Sequence, residues 1–122
     1  MKSAKEWFLK YICVPSASDE TTGTIPSTED QKKLGAIIVE DMKEIGISDA
    51  FMDEYGYVYG TIEANCVGQP SIGLIAHMDT SPDASGADIK ARIVPCDGGD
   101  ILLNEAQGIK CLLRNQHILD TQ

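Results

Sequence analysis

The segment "IGLIAHMDTSPD", residues Ile72–Asp83, decides the predicted fold. Its first five residues, Ile72–Ala76, are apolar apart from Gly73, and His77 and Asp79 follow directly. A short, continuous apolar run is typical of a strand that is covered on both faces in a parallel sheet. We therefore predict that Ile72–Ala76 is a buried, central parallel strand with His77 at its carboxyl end.

Two helices are predicted before this strand. The first covers Ser3–Val14, where Ser3 and Glu6 have the spacing of a capping box. The second covers Thr28–Ile45, and Gly46 is placed to end it. Apolar residues recur along the second helix at the spacing of one face: Leu34, Ile37, Ile38, Met42 and Ile45. Of these, Leu34, Ile38 and Ile45 are expected to pack on the sheet.

Further strands are predicted on both sides of the central one. Phe51–Glu54 and Tyr57–Glu63 alternate as strands and are joined at Gly56, while Ile89–Val94 and Ile101–Leu103 follow later. The pattern from Glu105 onwards predicts no element. Helices before and between strands indicate an α/β fold, with helices packed on a mixed, mostly parallel sheet, and the length of 122 residues favours a single domain.

Composition excludes several classes of partner. The net charge of −9 opposes binding to nucleic acid, whose phosphates would repel the chain. No run approaches the roughly 18 apolar residues of a membrane span, and the start has no small-residue cleavage site, so we expect neither an anchor nor a signal peptide. The four cysteines form no C-x-x-C pair, which favours a reduced, cytoplasmic protein.

The residues His77 and Asp79 have the chemistry of half a metal site. Catalytic groups of open α/β sheets gather beyond the carboxyl ends of strands, and residues two apart on a strand point the same way. A carboxylate on one imidazole nitrogen fixes the tautomer and leaves the other nitrogen for a metal. A hydrogen-bonded surface histidine is the alternative, since His-x-Asp pairs are common by chance. His117, with Asp120 nearby, is predicted to be structural or solvated.

Longer motifs around this pair are more specific. The stretches "PSIGLIAHMDTSPDASGADIKARIV" and "DGGDILLNEAQGI", together with "DEYGYVYGTIEAN", "IPST" and "FLKYICVPSASDE", resemble the peptidase T family of two-zinc metallopeptidases. The resemblance covers residues from about Lys5 to Ile109. After Ile109, "KCLLR" replaces a longer segment of the family.

This resemblance implies a role for each matching residue. His77 is similar to the first zinc ligand of the family, and Asp79 to the catalytic-site aspartate that orients that imidazole. The family uses two zinc ions and a glutamate base to remove the N-terminal residue from small peptides, chiefly tripeptides. The remaining acidic ligands, the distant histidine and the lid or dimerisation domain have no counterpart in this chain, and the substrate-binding residues stay unknown.

The chain is accordingly expected to be an incomplete, N-terminal part of such a catalytic domain. By itself it should bind little or no zinc and tend to self-associate, because a partial sheet leaves an unpaired edge. Two alternatives stay open. One is another amide hydrolase of the same clan, a deacylase or dipeptidase, and the other is a non-catalytic α/β fragment that keeps the His-x-Asp pair.

Overall fold

The computed structural model describes residues 2–95 and 98–111 of the chain. The chain divides into two compact units, Met1–Ala91 and Arg92–Gln122. The described residues form two helices and four short strands, in the order α1 (Ala4–Tyr11), α2 (Glu29–Glu44), β1 (Phe51–Met52), β2 (Val58–Tyr59), β3 (Ile101–Asn104) and β4 (Ile109–Cys111). Neither helix in these ranges has the length and apolarity that a bilayer-spanning segment needs.

Helix α1 begins as its sequence predicts. The Ser3 hydroxyl accepts from the Glu6 amide, and the Glu6 carboxylate accepts from the Ser3 amide, which completes the capping box. The helix is shorter than predicted and ends at Tyr11. Its inner face is tied to α2 by an ion pair between Lys10 and Asp41, whose carboxylate is buried.

Helix α2 lies within one residue of its predicted bounds, and Gly46, at φ +103°, follows its last turn. Leu34 is buried as predicted and Ile38 is half-buried, but the prediction is wrong for Ile45, which is 46% exposed. Gly35 explains the difference: a Cβ there would lie 2.6 Å from Met52 Sδ on β1. Because Gly35 has no side chain, the hairpin approaches the helix there, and Val39 is buried instead of Ile45.

Strands β1 and β2 form the antiparallel hairpin that the alternating pattern predicts, although both are shorter than predicted. Gly56 makes the turn with φ +86°, a conformation that costs glycine little. Gly60, directly after β2, is a site of close approach, since a Cβ would lie 2.5 Å from Met42 Cε. The hairpin therefore packs on α2 at both Gly35 and Gly60.

The prediction of a central, buried parallel strand at Ile72–Ala76 is wrong in this structure. The segment forms no strand, and Ile72, Leu74 and Ile75 are 85%, 90% and 99% exposed. A strand is stabilised by backbone hydrogen bonds to a neighbour, and the described residues place none beside it. Apolar character alone does not hold such a run in a sheet.

The predicted strand at Ile89–Val94 is also absent, since residues 89–95 have no regular structure. Within the Arg92–Gln122 unit, β3 and β4 instead pair antiparallel with a bulge between Leu102 and Asn104. Gly108, at φ +65°, lies in the turn between them. The Ile101–Leu103 prediction is confirmed by β3, whereas β4 occupies a part of the chain for which the pattern predicts nothing.

The sheets are therefore smaller and differently paired than expected. Mixed helix and strand content agrees with an α/β fold, but both two-stranded sheets are antiparallel. In the described part of the chain, parallel pairing is limited to a single bridge between Ala17 and Thr80. Thr80 directly follows the His77–Asp79 pair in the chain.

Candidate functional site

The structure brings His77 and Asp79 into contact. The imidazole Nδ1 lies 3.0 Å from Asp79 Oδ1 and 2.9 Å from the Asp79 carbonyl oxygen. Both oxygens can only accept a hydrogen bond, so Nδ1 carries the proton in this arrangement. A neutral ring protonated at Nδ1 keeps a lone pair on Nε2, which is the form that binds a metal ion.

The exposure of the two side chains suits a metal-binding role for His77 and an orienting role for Asp79. The His77 side chain is 84% exposed, and that of Asp79 is 44% exposed. The imidazole is therefore accessible to an incoming ion, while the carboxylate is less exposed. The roles of metal ligand for His77 and orienting carboxylate for Asp79 stay predictions.

The neighbouring acidic side chains are engaged within their own loops. Asp83 Oδ2 accepts from the Ser81 hydroxyl at 2.6 Å. Asp88 forms an ion pair with Lys90 at 3.4 Å. Neither contact involves His77, so these two aspartates add nothing observed to the site.

His77 fits one ligand position, and the described residues do not complete a metal site around it. Within residues 2–95 and 98–111, no three His, Cys, Asp or Glu side chains are grouped so that they could hold an ion. A zinc site usually takes three or four protein ligands. His117, predicted to be structural or solvated, and the nearby Asp120 lie outside the described residues.

Grooves on the described surface do not identify substrate-binding residues either. One is lined by Ile45–Asp49 and Thr61–Glu63. Another, within the Arg92–Gln122 unit, is lined by Arg92 and the β3 segment. Neither groove is lined by His77 or Asp79.

Thr80 is the residue near the site that sequence patterns do not reveal. Its backbone pairs with the segment Ser16–Ser18, and the hydroxyl of Thr28 supports that segment from the start of α2. These residues are far apart in the chain, and neither periodicity nor motif spacing signals a contact between them. The IPST motif contains Thr28, which is the one hint in the sequence that this position matters.

Comparison with known proteins first indicates a class. No family model matches the chain, but it is similar to curated proteins that are named as peptidases. They carry the name peptidase T: that of Alkaliphilus oremlandii is 45% identical over 113 residues, or 89% of this chain. Those of Desulfitobacterium hafniense and Clostridium perfringens are 50% and 47% identical over 85% and 84% of the chain.

The resemblance to peptidase T is thereby confirmed over most of the chain. The chain spans only 26–28% of the length of these three relatives. The similarity consequently concerns one part of a peptidase T.

Proposed function

We propose that this chain is the N-terminal part of a cytoplasmic, zinc-dependent aminopeptidase that removes the first residue of tripeptides. The observation that carries the proposal is the identity of 45–50% to proteins named peptidase T, over 84–89% of the chain. The matched region is long enough to include the His77–Asp79 pair with its surrounding loop. The activity belongs to the whole protein rather than to these 122 residues.

In this proposal His77 supplies one metal ligand through Nε2. The Asp79 carboxylate accepts a hydrogen bond from Nδ1, with 3.0 Å between the nitrogen and the oxygen. This hydrogen bond holds the tautomer of the ring and raises the basicity of the ligating nitrogen. Zinc, when bound, would polarise the scissile carbonyl as a Lewis acid. The two side chains of this chain thus present and orient a ligand, and the general base and the other ligands must come from elsewhere.

The isolated chain is expected to be inactive. A single imidazole binds zinc weakly, because high affinity requires about four ligands held together. Elemental analysis of the purified chain should therefore find little zinc, and micromolar protein with added zinc should not hydrolyse tripeptides. Stoichiometric zinc that is lost in His77→Ala would show a more complete site, for example one shared between two copies.

The decisive experiment restores the missing context. In the peptidase T of Desulfitobacterium hafniense, the region matched by this chain is replaced by the corresponding residues of the chain. The chimera should cleave tripeptides, and His77→Ala should abolish cleavage. Asp79→Asn keeps the shape but loses the charge, and should lower activity about 10–100-fold, as is usual for groups that orient a metal ligand.

Asp83→Asn is the matched control for Asp79→Asn. It makes the same change in the same loop, but its carboxylate accepts from Ser81 rather than from the imidazole. It should keep most of the activity. An active chimera that tolerates His77→Ala would refute the proposed ligand, and a chimera that cleaves N-acyl amino acids but no tripeptide would favour a deacylase.

A non-catalytic role for the chain by itself is the second candidate. The observation that favours it is the incomplete ligand set among the described residues. We propose that such a chain would self-associate through the exposed run at residues 72–76, since large exposed apolar patches mark association sites. Inactivity and a zinc-free chain that forms dimers at micromolar concentration would fit this candidate.

A further inference from the structure

The loop that carries His77 and Asp79 is fastened at one point. Within residues 62–79, no backbone–backbone hydrogen bond to another segment is formed in the described structure, and the first one is made by Thr80. The Thr80 amide donates to the Ser16 carbonyl at 3.1 Å, and the Ser18 amide donates to the Thr80 carbonyl at 3.0 Å. The Ser18 hydroxyl donates to the same carbonyl at 3.2 Å. Thr80 directly follows Asp79, so within residues 62–80 this bridge is the backbone attachment nearest to the carboxylate in sequence.

The other side of the bridge is held by helix α2. Thr28 is the N-cap residue of that helix, yet its hydroxyl makes no capping hydrogen bond and donates instead to the Ala17 carbonyl at 2.9 Å. A threonine at this position usually accepts a hydrogen bond from an amide of the first helical turn and thereby stabilises the helix. Here the hydroxyl is used to hold the strand partner of Thr80.

Further contacts brace the same segment. Ser16, whose carbonyl accepts from the Thr80 amide, is buried and only 4% exposed. The Ser27 hydroxyl accepts from the Asp19 amide at 3.0 Å and from Gln31 of α2 at 3.0 Å. The segment from Ser16 to Asp19 is thus attached to the first turn of α2 at two neighbouring points.

We propose that Ser16–Ser18 and Thr28 form a positioning clamp that aims the Asp79 carboxylate at His77 Nδ1. The clamp is the path Thr28 hydroxyl, Ala17 carbonyl, bridge to Thr80, and then Asp79. Without it the exposed loop would be free to turn Asp79 away, because His77 makes its contact through an 84% exposed ring. The catalytic significance of the clamp rests on the proposed function, whereas its geometry does not.

The test uses the zinc-free chain and needs no activity. Thr28→Val keeps the β-branched shape and removes the hydroxyl, and Thr28→Ser returns it. Thr24→Val is the matched control, because the Thr24 hydroxyl lies in the same loop but donates to the Pro26 carbonyl at 3.0 Å and has no hydrogen bond to Ser16–Asp19 or Thr28 among the described residues. Two quantities are measured by nitrogen-15 NMR above the titration range of histidine: the exchange rate of the Thr80 amide and the share of His77 rings protonated at Nδ1.

In the unaltered chain the Nδ1-protonated form should predominate. Thr28→Val should lower its share and speed exchange of the Thr80 amide about fivefold, the effect of losing one hydrogen bond. Thr28→Ser should restore both, and Thr24→Val should change neither. Faster exchange at Thr80 with an unchanged His77 tautomer would refute the positioning role, and no change in either quantity would refute the clamp itself.

A milder variant covers the case in which Thr28→Val unfolds the chain. Ser18→Ala removes only the hydroxyl contact to the Thr80 carbonyl, and it should move both quantities in the same direction by a smaller factor. In the active chimera, Thr28→Val should lower kcat with little change in KM. If Thr28→Val shifts the His77 tautomer in the chain but the chimera without that substitution is inactive, the clamp is supported and only the proposed function is contradicted.

Discussion

The ion pair between Lys10 and Asp41 allows a quantitative test of how α1 is held on α2. The Lys10 ammonium lies 2.5 and 2.6 Å from the two carboxylate oxygens of Asp41. The Asp41 side chain is 7% exposed, and that of Lys10 is 39% exposed. Lys10→Met keeps much of the apolar stem but leaves a buried carboxylate without its cation, so the variant should unfold more easily.

The expected loss lies between two known limits. Removing one partner of a fully buried pair costs about 3–5 kcal/mol, whereas an exposed pair contributes about 0–1 kcal/mol. The Lys10 side chain is more than a third exposed, which lets water compensate part of the lost charge interaction. We therefore expect Lys10→Met to lower the free energy of unfolding by about 2 kcal/mol, nearer the middle of these limits.

Urea unfolding followed by the helical circular dichroism signal measures this loss. Lys43→Met is the matched control, since Lys43 pairs with Glu40 at 3.4 Å between side chains that are 45% and 76% exposed. The control should cost less than about 0.5 kcal/mol. Adding Asp41→Leu to Lys10→Met should recover part of the stability, because apolar pairs often replace buried ion pairs without loss. Equal losses in the two lysine variants would show that the buried Asp41 pair contributes no more to the free energy of unfolding than an exposed pair.

Three further outcomes are expected. Leu34→Ala should cost about 2–5 kcal/mol by urea unfolding, and Ile45→Ala, at a 46% exposed position, less than about 1 kcal/mol; equal losses would mean that the buried face of α2 is misplaced. Burial, together with a hydrogen bond to the Asp41 carboxylate, raises the pKa of Tyr11 to about 12. The contribution of Tyr11 to the free energy of unfolding should therefore be complete below about pH 10 and fall as the pH rises towards 12. Tyr11→Phe should flatten that fall, and an unchanged pH profile would contradict the assignment. Leu74→Ser with Ile75→Ser should reduce self-association in sedimentation velocity, and an unchanged dimer fraction would exclude this run as the contact.

Features set by short-range interactions could be predicted from the sequence. The capping box of α1 needs only Ser3 and Glu6, and its contacts form as the spacing indicates. Helix α2 and the β1–β2 turn at Gly56 likewise depend on residues within a few positions of one another. These elements are where sequence and structure agree.

Features that depend on a distant neighbour could not be predicted. The apolar pattern of α2 predicts the burial of Leu34 but not that of Val39, because the latter follows from the approach of Met52 to Gly35. The run at Ile72–Ala76 has the composition of a buried strand, but a strand also needs backbone donors and acceptors beside it. No described segment supplies them, so the run stays exposed.

The candidate site combines both kinds of feature. His77 and Asp79 are two residues apart, and their contact forms although the predicted strand does not, so the pairing of these two side chains could be predicted from their spacing. The attachment of Asp79 to α2 through Thr80 and Thr28 joins distant segments and becomes visible only in the structure. Metal affinity is a third matter, since it requires ligands that the described residues do not bring together. The orientation of His77 and the capacity to hold zinc are therefore separable in this chain, and the tautomer of the ring reports the first without the second.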